Sequence, residues 1–209
     1  EIRLSLVGSE MCIRDSLASA SKARRAVLEG AGLSFEIRVA GVDEAAIKEA
    51  AQAEGIAPDQ AALILADAKA ERVAASAPDA LVIGADQLLV CDDAWFDKPS
   101  DMAAARAHLQ CLRGRAHELV TALVCHRGGQ RIWQHLAKPC LRMRDFSDAF
   151  LNAYLAAEGE ALLSSVGAYR LEGHGAQLFD KIEGDQPAIL GMPLLPLLGF
   201  LRQHGVLLR

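Results

Sequence analysis

Aromatic side chains are scarce in this 209-residue chain: two tryptophans, two tyrosines and six phenylalanines amount to 5% of it, although hydrophobic residues as a class reach 52%. The apolar material is therefore mainly aliphatic, enough to fill a folded core, and a disordered chain is excluded. No basic stripe and no acidic tail occurs. The 22 basic and 27 acidic residues are interspersed and leave a formal net charge of −5, which argues against a nucleic-acid partner. Long apolar runs are missing too. The most apolar stretch, "AILGMPLLPLLGFL", is broken by Pro193 and Pro196 and falls short of the roughly 20 residues a membrane span needs. The five cysteines (Cys12, Cys91, Cys111, Cys125 and Cys140) form no CxxC motif and are odd in number. That pattern fits small buried hydrophobes in a reducing, cytoplasmic setting better than a disulfide framework or a catalytic thiol.

What is present is an interleaving of helical and extended patterns. Ser21 precedes "KARRAVLEGAG", whose Val27 and Leu28 make a short apolar face and whose Gly30 and Gly32 end a helix. "LSFEIRVAGVDE" alternates as a strand ending at Asp43 and Glu44. A helix is expected over residues 59–77, with Leu63, Ala66, Ala70 and Val73 on one face and Lys69 beside it. "ALVIGAD" predicts a buried strand ending on Asp86, and "MAAARAHLQCLRG" a helix with Leu109 and Leu112 inward. Two strands joined at Gly128 and Gly129 follow, then a helix capped by Ser147, a strand around residues 178–182, a short strand and a C-terminal helix. The fold class is α/β, with a mixed sheet because one strand pair reads as a hairpin.

Local structure leaves several charged residues unexplained. Asp86 and Glu44 stand at expected strand ends, where ligands of open α/β sheets bind, and two such carboxylates suit a divalent cation. Arg24, Lys69 and Lys98 supply fixed positive charge that suits a polyphosphate. Each also has an ordinary reading: Asp86 as a turn residue, Lys69 as a solvated helix position, Arg24 as half of a surface pair with Arg25. His117 and His174 lack a second His or Cys at ligand spacing and read as structural.

The motifs "LASASKARRAVLEGAGLSFE", "VDE", "ADAKAE", "VIGADQ", "DKP", "LRGRAHELVTA", "SVGAYRLEGHGAQLFDKIEGD" and "GMPL" occur in this order. Together they resemble the Maf family, the septum-formation-type nucleoside triphosphate pyrophosphatases, over residues 17–204. The resemblance implies a mixed twisted sheet flanked by helices, in two lobes around a central cleft, of the Maf and inosine-triphosphatase type. It also implies hydrolysis of a nucleoside triphosphate between its α and β phosphorus atoms, giving a monophosphate and pyrophosphate with Mg²⁺ or Mn²⁺, and it makes a homodimer an open expectation. By the same resemblance Asp86 is the catalytic proton acceptor and, with Glu44, the metal site, while Ser21, Arg24, Lys69 and Lys98 bind substrate phosphate. Residues 1–16, "EIRLSLVGSEMCIRDS", resemble translated sequencing-adaptor sequence, so a non-native leader is expected before one domain over residues 17–209.

The chain departs from the family pattern at Lys22, where Pro is common, and at Asp97, where Gly is usual before Lys-Pro. Base choice in the family is associated with positions that align here with Ala23, Gln87 and Glu172. Gln87 and Glu172 agree with the 7-methyl-GTP branch, whereas Ala23 agrees with neither that branch nor the dTTP/UTP branch. A carboxylate at Glu172 suits the N1–H and amino group of a guanine and attracts a methylated, cationic base. Ala23 offers no ring for stacking; of the nearest aromatics, Tyr169 reads as buried core and Trp95 as exposed loop. Two alternatives stand beside this reading: an inosine or xanthosine triphosphate pyrophosphatase, and a nucleotide-sensing division regulator with little turnover.

Overall fold

The computed structural model describes residues 15–208. Of the expected leader, residues 1–14 lie outside the described residues, as does Cys12; Asp15 and Ser16 are described. In chain order the elements are β1 (Ser16–Leu17), α1 (Lys22–Gly30), β2 (Glu36–Ile37), α2 (Glu44–Ala53), α3 (Pro58–Ala74), β3 (Val82–Cys91), β4 (Ala94–Phe96) and α4 (Met102–Leu112). They continue with β5 (Ala116–Arg127), β6 (Gln130–Ala137), β7 (Cys140–Met143), α5 (Asp148–Glu158), 3₁₀ turns at Gly159–Ser164, Val166–Ala168 and His174–Leu178, β8 (Phe179–Glu183), α6 (Gln186–Ile189) and α7 (Leu194–Gln203). The strands pair in the order β2-β1-β3-β5-β7-β8, with β4 on β3 and β6 on β5. β1 runs parallel to β2 and β3, whereas β4, β6, β7 and β8 join antiparallel. The sheet is therefore mixed, as expected for the α/β class.

Two compact units share the chain. One comprises the residues up to Gln87, Thr121–Ala137 and those from Asp185 onward; the other comprises Leu88–Val120 and Lys138–Gly184. In the first unit, one sheet face carries Ile83, Ala85, Leu123 and Cys125, buried with Leu28 of α1 and Leu197, Phe200 and Leu201 of α7. The alternate residues of β3 and β5 turn to the opposite face, where α3 buries Leu63, Leu65, Ala66 and Ala70. The second unit buries Leu109 and Leu112 of α4, Leu151, Tyr154 and Leu155 of α5, and Leu141 and Met143 of β7.

Local signals in the sequence account for many element ends. The side chains of Ser21, Asp43, Asp101, Ser147 and Asp185 accept hydrogen bonds from the first turns of α1, α2, α4, α5 and α6 respectively. Gly128 and Gly129, with φ of 58° and 74°, make the tight turn between β5 and β6, the geometry that matches hairpin twist.

Four readings of the sequence are corrected. β3 does not stop at Asp86 but runs on through buried Leu88 and Leu89 to Cys91. The strand expected up to Glu44 is only Glu36–Ile37; Val39 is 70% exposed, and Glu44 is the first residue of α2 behind its cap Asp43. Trp95 lies in β4 opposite Val90 rather than in a loop. A short helix, α6, replaces the short strand after Gly184, because Asp185 caps it and Pro187 suits its first turn.

Candidate active site

The charged cluster of the first unit is built on α3 and β3. The buried face of α3 brings Lys69 down to 7% exposure, and the side chain meets Asp86, itself 4% exposed. Lys69 Nζ lies 2.5 Å from Asp86 Oδ1 and 2.8 Å from Glu44 Oε1. Glu44 reaches this amine from the first turn of α2, which the Asp43 cap holds through a 3.0 Å bond from Ala46 N. One lysine thus balances two carboxylates, one buried and one half exposed.

A glycine sets the spacing. A Cβ added at Gly84 would lie 2.3 Å from the Ala66 carbonyl oxygen, 2.8 Å from Ala70 Cβ and 2.9 Å from Val124 Cγ2. The bare backbone lets α3 lie directly on β3, two residues before Asp86. The other flank of α3 is tied down by Asp67, which meets His126 Nε2 at 2.9 Å and pairs with Arg131.

Asp86 Oδ2 is buried with no hydrogen-bond partner among the described residues. An orphaned buried acceptor costs about 1–3 kcal/mol unless a water or an ion meets it. It is the atom of the cluster best suited to either. No group of three or more His, Cys, Asp or Glu side chains arranged for a metal occurs among the described residues. Two carboxylates nevertheless fit a Mg²⁺-type cation, which keeps most of its ligands as water and substrate phosphate.

Arg24 is not a surface residue. It is 8% exposed, its Nε donates to the Gly191 carbonyl at 3.0 Å, and its Nη1 donates to Ala85 O at 2.8 Å and Ser19 Oγ at 3.1 Å. Burial pulls the guanidinium below its ordinary pKa, while Asp86 and Glu44 act in the opposite direction. Gly191, at φ 83° and with Arg24 Nε 3.0 Å from where a Cβ would stand, admits this contact. Ser19 and Gly191 join the site through these bonds; both lie within the motifs "LASASKARRAVLEGAGLSFE" and "GMPL", but nothing in their local sequence marks them as partners of an arginine. Ser21 serves α1 as its cap, its Oγ accepting from Arg24 N at 3.3 Å.

The three positions associated with base choice differ in their surroundings. Ala23 is half-buried on α1. Gln87 is pinned: its Nε2 donates to Thr121 Oγ1 at 2.8 Å and to the Ala188 and Ile189 carbonyls at 3.2 Å. Glu172 belongs to the second unit, is exposed and lies 3.3 Å from Arg170 Nε. Lys98 is also in the second unit, exposed just after β4. His117 is buried with its Nε2 3.0 Å from the Tyr169 hydroxyl, and His174 pairs with Glu158 at 2.9 Å. Cys91, Cys111, Cys125 and Cys140 are free thiols. Among the described residues no helix is long and apolar enough to cross a membrane.

A family model described as "Maf-like protein" matches residues 16–204. A protein of Granulibacter bethesdensis called nucleoside triphosphate pyrophosphatase is 61% identical over 91% of this chain and 97% of its own length. Its counterpart in Rhodospirillum rubrum, under the same name, is 53% identical over 92% and 95% of the two chains. A protein of Rhizobium johnstonii called 7-methyl-GTP pyrophosphatase is 50% identical over 91% and 96%.

Proposed function

The chain belongs to the Maf family, and from that premise we propose that its α3–β3 charge cluster is the hydrolytic centre of a nucleoside triphosphate pyrophosphatase. The observation that carries the placement is Asp86, a buried carboxylate with one oxygen on Lys69 and the other unsatisfied. In the reaction a water oxygen bonds to the α phosphorus, the bridging oxygen departs with pyrophosphate, and a nucleoside monophosphate remains. Asp86 Oδ2 takes the proton that the water sheds. Lys69 holds Asp86 and Glu44 in place, and Arg24 adds positive charge from behind the loop that contains Ser19 and Ser21. Lys98 supplies a further cation for phosphate, and Ser21 shapes the loop by capping α1.

Asp86 and Glu44 are the residues that would hold a divalent metal, Mg²⁺ or Mn²⁺. Once bound, the metal supplies charge neutralisation for the polyphosphate. The base is a modified purine, 7-methylguanine foremost. Support for that comes from the carboxylate at Glu172, from Gln87, and from relatives that include proteins called 7-methyl-GTP pyrophosphatase. The amide of Gln87, fixed by three oxygens, gives a base edge a rigid partner.

The test is pyrophosphate release with Mg²⁺ or Mn²⁺ across the common nucleoside triphosphates, 7-methyl-GTP and inosine triphosphate. Asp86→Asn is expected to reduce turnover by about 10²-fold or more. An undiminished rate in that variant removes Asp86 from the chemistry. Nucleotide binding without release by the unaltered chain points instead to a sensor.

A further inference from the structure

The second unit contains a buried acid that the hydrolytic chemistry does not use. The side chain of Glu158, the last residue of α5, is 4% exposed and meets donors on both oxygens. Its Oε1 accepts from His174 N at 2.8 Å and lies 2.9 Å from His174 Nδ1; its Oε2 accepts from Arg170 Nη1 at 3.2 Å. All these donors lie on the segment "RLEGHG", residues 170–175.

That segment is built to close on the acid. Arg170 N donates to the Tyr154 hydroxyl at 3.3 Å, and Gly173 N turns back to Arg170 O at 3.2 Å. A Cβ on Gly173 would stand 2.6 Å from Glu158 Oε1, and one on Gly175 would stand 2.3 Å from Arg170 O. Gly175 therefore requires a bare backbone, and a side chain at Gly173 would push against the Glu158 carboxylate. Inside the turn, Glu172 rests one oxygen 3.3 Å from Arg170 Nε. Arg170 thus bridges the buried carboxylate and the exposed one, and a planar guanidinium fixes direction as well as charge.

We propose that Glu158, through Arg170 and His174, is a positioning residue that sets the orientation of the Glu172 carboxylate and hence the choice of base. The proposal rests on the reading of Glu172 as a base-selecting residue. A buried anion with several charged or backbone donors is a rigid anchor, and the turn around it gives Glu172 a fixed pose before any nucleotide arrives. Specificity built on a hydrogen-bonding site depends on such a pose, because a misdirected acceptor loses its advantage for the base that has the matching donors.

The experiment measures kcat/KM for 7-methyl-GTP and for UTP, which lacks the guanine donors, in four forms of the full chain: unaltered, Glu158→Gln, Glu172→Gln and the double variant. The ratio of the two constants is the readout. Glu158→Gln is expected to shrink that ratio about tenfold while kcat on UTP stays near its original value, and the double variant is expected to be no worse than Glu172→Gln alone. A ratio unchanged in Glu158→Gln but reduced in Glu172→Gln overturns the positioning role and leaves the Glu172 reading intact. A ratio unchanged in Glu172→Gln overturns the reading of Glu172 and the proposal with it. Equal losses on both nucleotides in Glu158→Gln would mark Glu158 as merely structural. Arg170→Lys, which keeps the charge but not the fork, serves where Glu158→Gln does not fold, and is expected to reduce the same ratio.

Discussion

The two units accommodate buried polar groups in different ways. In the first, Lys69 and Asp86 set opposite charges against each other from the middle of a 17-residue helix and a 10-residue strand. In the second, the Glu158 carboxylate is wrapped by donors from a turn, and His117 sits uncharged beside the Tyr169 hydroxyl. Regular elements packed at a glycine seam move as one body, so a charge pair placed on them is held to a fixed length. A turn gathered around a side chain is shaped by that side chain instead. The contrast fits the proposed roles, phosphate chemistry at the pair held by helix and strand and base choice at the turn around Glu158.

Substitutions that remove one partner from each arrangement test the contrast, and the largest effect is expected at Lys69. Lys69→Met leaves Asp86 buried without its cation and should lower unfolding free energy by about 3–5 kcal/mol. Urea denaturation of that variant and of the double variant with Asp86→Asn measures it. The double variant should recover part of the loss; equal instability in the two would mean that the pair is not what the first unit depends on.

The next effect belongs to the second unit and appears with pH. Burial lowers the pKa of His117 from 6.5 to about 4. Between those values the unfolded chain binds a proton that the folded chain refuses, so stability is held above pH 6.5 and falls as pH drops towards 4. The span is about 3 kcal/mol. His117→Gln should flatten that slope in thermal unfolding from pH 7 to pH 4, and an unchanged slope would assign it to other groups.

A smaller effect is expected from glycine-to-alanine changes, which separate the two regions most sharply. Gly84→Ala forces α3 off β3 at a cost of about 1–3 kcal/mol, and because Lys69 rides on that helix, turnover on every base should fall together. Gly173→Ala presses only on the end of the Glu158 side chain and should alter the ratio between bases more than the rate. Matching effects of the two variants on rate and ratio would erase the distinction.

Several features were legible from local pattern. The caps Ser21 and Ser147, the hairpin at Gly128–Gly129 and the apolar face of α3 all follow rules that act within a few residues. The motif order also named Glu44, Lys69 and Asp86, which the cluster brings together, and Lys98, which lies in the second unit. Pairings across sequence distance were not legible. Lys69 reads as solvated because lysine mostly is; its burial is offset by Asp86, 17 positions later. Asp86 reads as a strand end because an uncompensated acid cannot sit mid-strand in a core, and nothing nearby announces its compensation. Arg24 reads as a surface residue beside Arg25, although Gly191, 167 positions away, accepts from its Nε. Glu44 reads as a strand end because Val39 continues an alternation whose strand has already ended.

The placement of Asp86 within β3 has a consequence for when the acid can move at all. β3 lies beside β5 in the sheet, with β1 pairing only its first residues Val82 and Ile83, and its side chains alternate between two packed faces. Strands of this kind exchange their amide hydrogens only when a large part of the structure opens. Local breathing at loops and termini therefore leaves the carboxylate where it is. With Asp86 in the interior of a strand buried along most of its length, whatever meets its unsatisfied oxygen has to be brought to it, because the acid does not swing out on its own.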